Sequence, residues 1–483
     1  QVHERTVDSD FLIIILRDLA LQRKDLTLVL MSATLNADLF SDYFNKAPKL
    51  NIPGYTFPVE EYYLEDALEL TRTRITPTVN RQGRVKRKPI GQEQFGQKVA
   101  KLSEELPRYS RSTLESMAMF DESEVPLDVI VDLVQHVHAY EGEGAILIFL
   151  SGWEEISAVH DRLDMLPQAR TGAWRLYALH SQMPTSQQRD VFLRPPRGTR
   201  KIVIATNIAE SSITIDDVVY VIDGGKHKEK SYDPEAKVQS LLPAWVSRAS
   251  SRQRRGRAGR VQPGRCWHLY PRSKVSEMNE YQLPEIVRTS LESLCLQVRH
   301  LGLAVPGHGG VAAFINKALT PPGVVALNNA LTLLTRIGAF RTDESLTPLG
   351  RHLALLPVEP QIGKALVLGC MLGCLDPVLT IAALLSQRNP FVMPMSKKEQ
   401  ADEAKRRFAQ GEPSDHLCLY NAYEAWRMCP RRDQQEFCHV NFLSSSALRI
   451  ASDVRGQFQT LLRDAGLIPR DREQLAELNR HSE

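Results

Sequence analysis

An α/β architecture, with parallel sheets in roughly the first 280 residues and helices alone after them, is predicted by three observations in the 483-residue chain. Short apolar runs rich in β-branched residues alternate with amphipathic stretches at helical spacing, the grammar of strands covered on both faces of a sheet. The runs end in small polar residues, where α/β proteins place their ligands. After about Glu285 the runs disappear and helical periodicity continues, broken by Pro306-Gly307, Pro321-Pro322, Pro357 to Pro360 and Asn389-Pro390. The length suffices for about three or four domains.

Taken in order, Phe11 to Leu21 carries apolar residues at helical spacing, and Leu26 to Met31 reads as a buried strand ending in Ser32-Ala33-Thr34. Between Thr71 and Glu124 periodicity is lost and basic residues gather, with RQGRVKRKP spanning Arg81 to Pro89. A mobile, solvated insertion is expected there; a nuclear address or an RNA-binding loop is the other reading of its basic cluster. From Pro126 the pattern gives a helix through Val137, a strand Ala145 to Leu150, a helix from Trp153, a strand Trp174 to Leu179 and a helix near Gln187. Strands at Lys201 to Ala205 and Val218 to Ile222 complete it. The apolar stretch Ala365 to Leu385 is long enough to resemble a membrane span, but Asp376-Pro377 interrupts it, so two packed helices are expected.

Composition narrows the chemistry. Net charge is only +3, so any nucleic-acid surface must arise from local clustering. Seven scattered cysteines without a CxxC pair argue for reduced thiols, a cytoplasmic or nuclear setting and no zinc site. The opening QVHERTVDSD lacks the apolar core of a secretory signal, and there is no internal repeat.

The densest chemical signal is QRRGRAGR at Gln253 to Arg260, within which and just before which lie five arginines, Arg252 to Arg260. Arginine meets phosphate with a planar, permanently charged fork, and glycine lets backbone approach a ligand. By itself the octet reads equally as a basic loop gripping a nucleic-acid backbone. Ser151-Gly152, His180-Ser181-Gln182 and Thr206-Asn207 each end a strand. Together they suit a sugar-phosphate backbone positioned without base readout. The segment from Thr206 to Asp216 continues that rim, and it also reads as a loop rich in helix-capping residues.

VHER at Val2 to Arg5, SAT at Ser32 to Thr34, the segment Phe149 to Trp153, TNIAESSITID and QRRGRAGR occur in the order and spacing of motifs II to VI of the DEAH-box/RNA helicase A family, which the chain resembles. The likeness continues through PEIVRTSLESLCLQV, LTPLGRHLALLPVEPQIGK and LDPVLTIAALLS. It implies a partial first RecA-like domain over 1–54 and a second over 55–280 bearing the insertion at about 71–124. A winged-helix domain over 281–356, a helical-bundle ratchet over 357–465 and a tail over 466–483 follow. It implies ATP and Mg2+ as cofactors, RNA as partner, protein cofactors from RNA-processing or translation complexes, and no membrane. Gln253 would reach the γ-phosphate or the attacking water, with Arg257 and Arg260 as arginine fingers, His3 from motif II beside them, and Arg254 and Arg255 as supports. Asp216 would meet the ribose and Gly256 the nucleotide. Phe192 would stack on adenine, although an aromatic at that spacing is equally a core residue. Ser32 and Thr34 would link nucleotide state to domain closure. Ser151, Gly152, His180 and Thr206 would touch RNA, and a hairpin around Leu241-Leu242 would help part strands.

Two departures stand against the resemblance. No G-x-x-x-x-G-K-[ST] loop occurs in the chain, and Gln1 stands where motif II carries the acidic residue that activates water. An RNA helicase whose ATPase is deficient in this polypeptide is therefore expected, and a non-catalytic RNA-binding scaffold that keeps a helicase shell is the alternative.

Overall fold

The computed structural model describes residues 2–32, 36–52, 54, 56–75, 92–180, 190–211, 215–304, 309–387, 389–392, 398–469 and 471. Gln1, Thr34, Arg81 to Pro89 and the expected helix near Gln187 lie outside the described residues. The chain forms two compact units. One comprises Gln1–Thr6, Ala20–Tyr232 and Val238–Arg288; the other comprises Val7–Leu19, Asp233–Lys237 and Thr289–Glu483.

In the first unit, six strands pair in parallel: β1 (Val59–Tyr62), β2 (Ala145–Phe149), β3 (Trp174–Leu179), β4 (Arg200–Ala205), β5 (Val218–Asp223) and β8 (Gly264–His268), in the order β1-β8-β5-β2-β4-β3. The four strands expected from the sequence form its centre and one edge. The flanking β8 and β1 are too polar, as GRCWH and VEEY, to declare themselves by periodicity. Because successive side chains point to opposite faces, the sheet divides its apolar residues into two cores. Ile146, Ile148, Ile202, Ile204 and Ile222 face helices Leu64–Thr71, Leu127–Tyr140 and Trp153–Asp164, whereas Leu147, Phe149, Val203 and Val221 meet Ala209, Ile215 and Ala258. A hairpin of β6 (Lys226–Asp233) and β7 (Val238–Trp245) stands apart as a two-stranded sheet, with Leu241 and Leu242 exposed.

Three expectations need correction. Leu26 to Met31 is not a strand: Val29 and Met31 are largely exposed, and no described strand pairs with the segment. A strand without a ladder leaves its peptide groups to water. The stretch from Thr71 to Glu124 is not wholly a mobile insertion either. Gln92–Glu105 and Arg111–Met119 are helices, and Leu114 and Met117 are buried. The second helix is capped by Ser110 and held by Glu69, whose carboxylate accepts from the Ser110 amide at 3.0 Å and the Thr113 hydroxyl at 2.7 Å. Its alanine-, serine- and methionine-rich apolar face escaped a search for branched residues. Finally, the break within 365–385 falls at Gly373, a left-handed C-cap, with Asp376 and Pro377 in the first turn of the next helix, where proline's missing N–H costs nothing.

The second unit is helical, apart from isolated bridges such as Phe340 to Leu346. Most of helix Val7–Gln22 belongs here: Phe11 meets Phe314 edge-on at 6.0 Å and Asp18 pairs with Lys317 at 2.7 Å. Helices Pro360–Leu372 and Leu375–Leu385 pack through Gly369, against which Val378 lies so closely that a Cβ would meet it at 3.0 Å. Among the described residues no single helix is long and apolar enough to cross a membrane.

Met117→Ala should lower stability by about 2–5 kcal/mol in urea denaturation, because the helix is packed. A change within about 0.5 kcal/mol would return the segment to an unpacked surface loop.

Candidate functional site

The basic octet starts in helix Arg248–Arg255, which the Ser247 side chain caps by accepting from the Ser250 amide. One residue fixes this helix to the sheet. Arg254 is fully buried, its Nε donates to Glu210 at 3.0 Å and its Nη1 to Asp223 at 2.8 Å, while the guanidinium lies 4.9 Å from the Phe149 ring centroid. Burial opposes its charge, but Asp223 and Glu210 outweigh that and raise its pKa. Glu210 is held three ways: Ser250 Oγ donates to its carboxylate at 2.6 Å, Arg254 shares the same carboxylate, and Arg257 donates to its main-chain carbonyl. Segment 208–211 and the octet are thereby one structural piece.

A second shell of polar groups stands behind Arg254. His268, buried on β8, has Nδ1 3.3 Å from Asp223 and 3.0 Å from the Tyr270 hydroxyl, and Nε2 3.4 Å from Glu61. Glu61 also pairs with Arg255 at 2.5 Å, so the chain of charges returns to the octet. Burial disfavours charge on His268, but Cys266, Tyr270 and Asp223 around it carry its pKa well above 6.5. The His268 and Arg255 contacts hold Glu61 at about 2; Asp223, despite complete burial, is held at about 2 by Arg254 and His268. Glu210, Asp223, Glu61 and His268 were not singled out from the sequence. Their partners lie far away in the chain, and only Glu210 sits inside a recognised motif.

Arg257 is in a different situation. It is nearly buried, and its pKa is pulled down to about 10, first by burial and then by Arg260 beside it, with Glu210 offsetting only part of this. A desolvated arginine next to a second arginine is a place where an added anion is stabilised. Gln253 and Gly256 are half-buried and Arg260 is exposed. Gly256 has an ordinary helical φ of −60°, but a Cβ there would lie 3.4 Å from the Gln253 carbonyl and 3.3 Å from the Arg252 carbonyl, closer than ordinary van der Waals contact. Gly259 is tighter still, with the Phe57 carbonyl 2.6 Å from a Cβ, and is needed for packing. His3, in a one-turn helix, feels the charge of Glu210. Burial lowers its pKa, and both ring nitrogens are buried without a hydrogen-bond partner.

The octet runs from Arg254, bonded to Asp223 at the carboxyl end of β5, towards the amino-terminal start of β8, where the Ala258 carbonyl crowds Gly264. Asp216 and Phe192 lie at that same end. Buried Lys201, near the start of β4, bonds the Val191 carbonyl at 2.9 Å and the Asp217 carboxylate at 3.0 Å, which sets the exposed Asp216 and Phe192 on one lip. Phe192 is 46 % exposed and is therefore not a core residue. The carboxyl rim carries the other group. Ser151, Thr206 and His180 follow β2, β4 and β3, which are neighbours in the sheet, and the Thr206 amide donates to the Leu179 carbonyl at 3.3 Å. Ser151 and Thr206 are nearly buried; Gly152 between β2 and the next helix is fully extended. Ser32 is exposed and apart from any regular element.

Arg257 lies beside Arg260, the charge of Glu210 reaches both Arg257 and His3, and Asp216 and Phe192 are exposed. Among the described residues no three His, Cys, Asp or Glu side chains gather as a metal site that could hold magnesium.

Comparison with known proteins agrees in outline. Residues 127–262 match the helicase conserved C-terminal domain, 330–358 the winged-helix part of the helicase-associated domain, and 359–449 its ratchet-like part. The chain is 47 % identical over 482 residues to the DExH-box ATP-dependent RNA helicase DExH1 of Arabidopsis thaliana, covering 98 % of this chain and 48 % of that protein. It is 45 % identical to the human ATP-dependent DNA/RNA helicase DHX36, covering 97 % and 47 %, and 40 % identical to the mouse ATP-dependent RNA helicase DHX29, covering 96 % and 36 %. The chain thus spans about half the length, or less, of these relatives.

The buried network sets a pH dependence. Asp223 and Glu61, depressed from 3.8 and 4.5 to about 2, contribute stability that is complete above those ordinary values and lost as pH falls towards 2. His268, raised above 6.5, contributes stability that is complete below 6.5 and lost as pH climbs through its elevated value. Melting temperatures should therefore fall on both sides, and His268→Gln should flatten the alkaline limb; an unchanged limb would mean that His268 is neutral.

Proposed function

We propose, from the chain's membership of the DExH-box RNA helicase family, that it forms the finger-bearing and RNA-tracking part of an ATP-dependent RNA helicase. The observation that carries this reading is Arg257, buried beside Arg260 with its pKa pulled down to about 10. A phosphate arriving there relieves both desolvation and repulsion. In phosphoryl transfer an arginine so placed stabilises charge on the transferred group, an effect of about 10³ to 10⁵ in rate. Gln253 orients the attacking water or the γ-phosphate, and Asp216 and Phe192 hold ribose and adenine. At the opposite end of the sheet, Ser151, Gly152, Thr206 and His180 follow an RNA backbone through hydroxyl and amide contacts. The Leu241-Leu242 hairpin separates strands.

ATP would supply the phosphoryl group. This chain contributes Arg257, Arg260 and Gln253 to that chemistry, but no phosphate loop and no metal-ligand cluster among the described residues. In the polypeptide as it stands, hydrolysis is therefore deficient. A second reading, an RNA-binding scaffold that does not turn over ATP, rests on Gln1 in the motif II position of the acidic residue. On this reading a partial and a second RecA-like domain, a winged helix and a ratchet bundle act on RNA in a cytoplasmic or nuclear complex.

RNA-stimulated phosphate release by the 483-residue chain should stay at background, and robust turnover would overturn the deficiency. Fluorescence anisotropy with single-stranded RNA should show binding that weakens steeply with salt. Thr206→Val, which removes one hydroxyl donor, should weaken it by about 0.5–1.5 kcal/mol. Absence of any RNA binding by the wild-type chain would remove the RNA reading in both its catalytic and scaffold forms.

A further inference from the structure

Beside the rim residues that take a backbone stands a group suited to something else. Trp153 opens the helix after β2 and is 42 % exposed, an unusual state for the largest apolar side chain. Its ring meets His180, from the end of β3, at 6.0 Å between centroids and 62° between planes. That contact fixes the indole without covering it. Trp153 also lines a cavity of about 520 Å3 together with His160, Asp161, Arg175, Tyr177 and Asp190, large enough for a planar ring to settle partly against it.

A cation completes the group. Lys228 on β6 is exposed and runs directly over Gly152, so that a Cβ at Gly152 would meet its Cε at 2.9 Å and its Nζ at 3.1 Å. Glycine at 152 is what allows the ammonium to lie against the backbone at the rim. Lys228 has no carboxylate partner among the described residues, whereas Lys230 pairs with the Glu285 carboxylate at 3.3 Å and Lys226 donates to the main-chain carbonyl of Glu122. Its charge reaches His180, whose pKa is lowered by burial and then by Lys228, which keeps that ring a neutral aromatic brace near pH 7.

We propose that Trp153, braced by His180, is a stacking platform for one base of the bound RNA strand, and that Lys228 receives the phosphate next to that base. This rests on the RNA-binding reading of the rim and adds to it a contact with a base, where the rim hydroxyls meet only backbone. A fixed aromatic ring loses little freedom on binding and accepts any base, because every base has a π-face. The subsite therefore strengthens binding without selecting sequence, and the adjoining cation ties the base to its own phosphate.

The test compares the intact 483-residue chain and its variants on a single-stranded RNA and on the same strand carrying abasic residues. Trp153→Ala should weaken binding to the normal strand about 5- to 100-fold, the range for loss of one stacked base, and should leave binding to the abasic strand close to that of wild type. Trp153→Phe, which keeps an aromatic face, should recover most of the loss. Lys228→Gln should lower the slope of log K against log salt by about 0.7 on both strands. If the wild-type chain binds both strands and Trp153→Ala binds each as wild type does, the platform is overturned while the RNA reading stands. If wild type binds neither strand, both fall together.

Discussion

A single buried guanidinium organises the first unit. Arg254 has no exposed surface and sits between two carboxylates, Glu210 from the turn after β4 and Asp223 from the end of β5. A buried ion pair adds little net stability over a well-packed apolar replacement, because desolvation offsets the attraction; leaving one partner alone, however, costs about 3–5 kcal/mol. Such a pair therefore fixes register more than it raises stability. Here it fixes which turn of the helix faces which strand end, and from that follow the direction in which Arg257 points and the position of the glycines beyond it. His268 and Glu61 extend the same restraint to Arg255.

The sheet separates two kinds of chemistry by its two ends. The octet runs from Arg254, tied to Asp223 at the carboxyl end of β5, down to Gly259 near the start of β8, and Asp216 and Phe192 lie at that amino end. At the carboxyl rim, Ser151, Thr206 and His180 on neighbouring strands offer short polar contacts beside Trp153 and Lys228. The segment from Thr206 to Arg257 touches both groups: Thr206 ends β4 at the rim, and four residues later Glu210 accepts from Arg254 and Arg257. A change at one end thus has a short covalent and hydrogen-bonded route to the other.

Much of this was legible in the chain, and the failures have identifiable causes. β2, β4 and β5 are continuous apolar runs because both of their faces are covered, so periodicity finds them. β8 and β1 carry Arg265, His268 and Glu60 to Glu61, whose polarity is tolerated because the partners, Glu141, Asp223 and Arg255, arrive from elsewhere in the fold. Local pattern cannot register such compensation. The helix Arg111–Met119 was missed for the opposite reason: its buried residues are small or unbranched, and its anchor, Glu69, is over forty positions away. Leu26 to Met31 has the composition of a strand and lacks a described neighbour to pair with. Strand propensity is a capacity that only a partner realises.

The sequence by itself determined the fold class and the central strands of the sheet, because these depend on side-chain chemistry and on periods of two and 3.6 residues. Only the tertiary structure decided that Arg254 is a buried tether while Arg257 is a desolvated cation beside Arg260, although both are arginines within the same eight residues. It also decided that the octet descends from the carboxyl to the amino end of the sheet, that His180 packs on Trp153 and that Lys228 crosses Gly152 beside it. The reason is common to all of these: burial, electrostatic environment and contact between strand ends are set by distances through space that the linear spacing of residues does not contain.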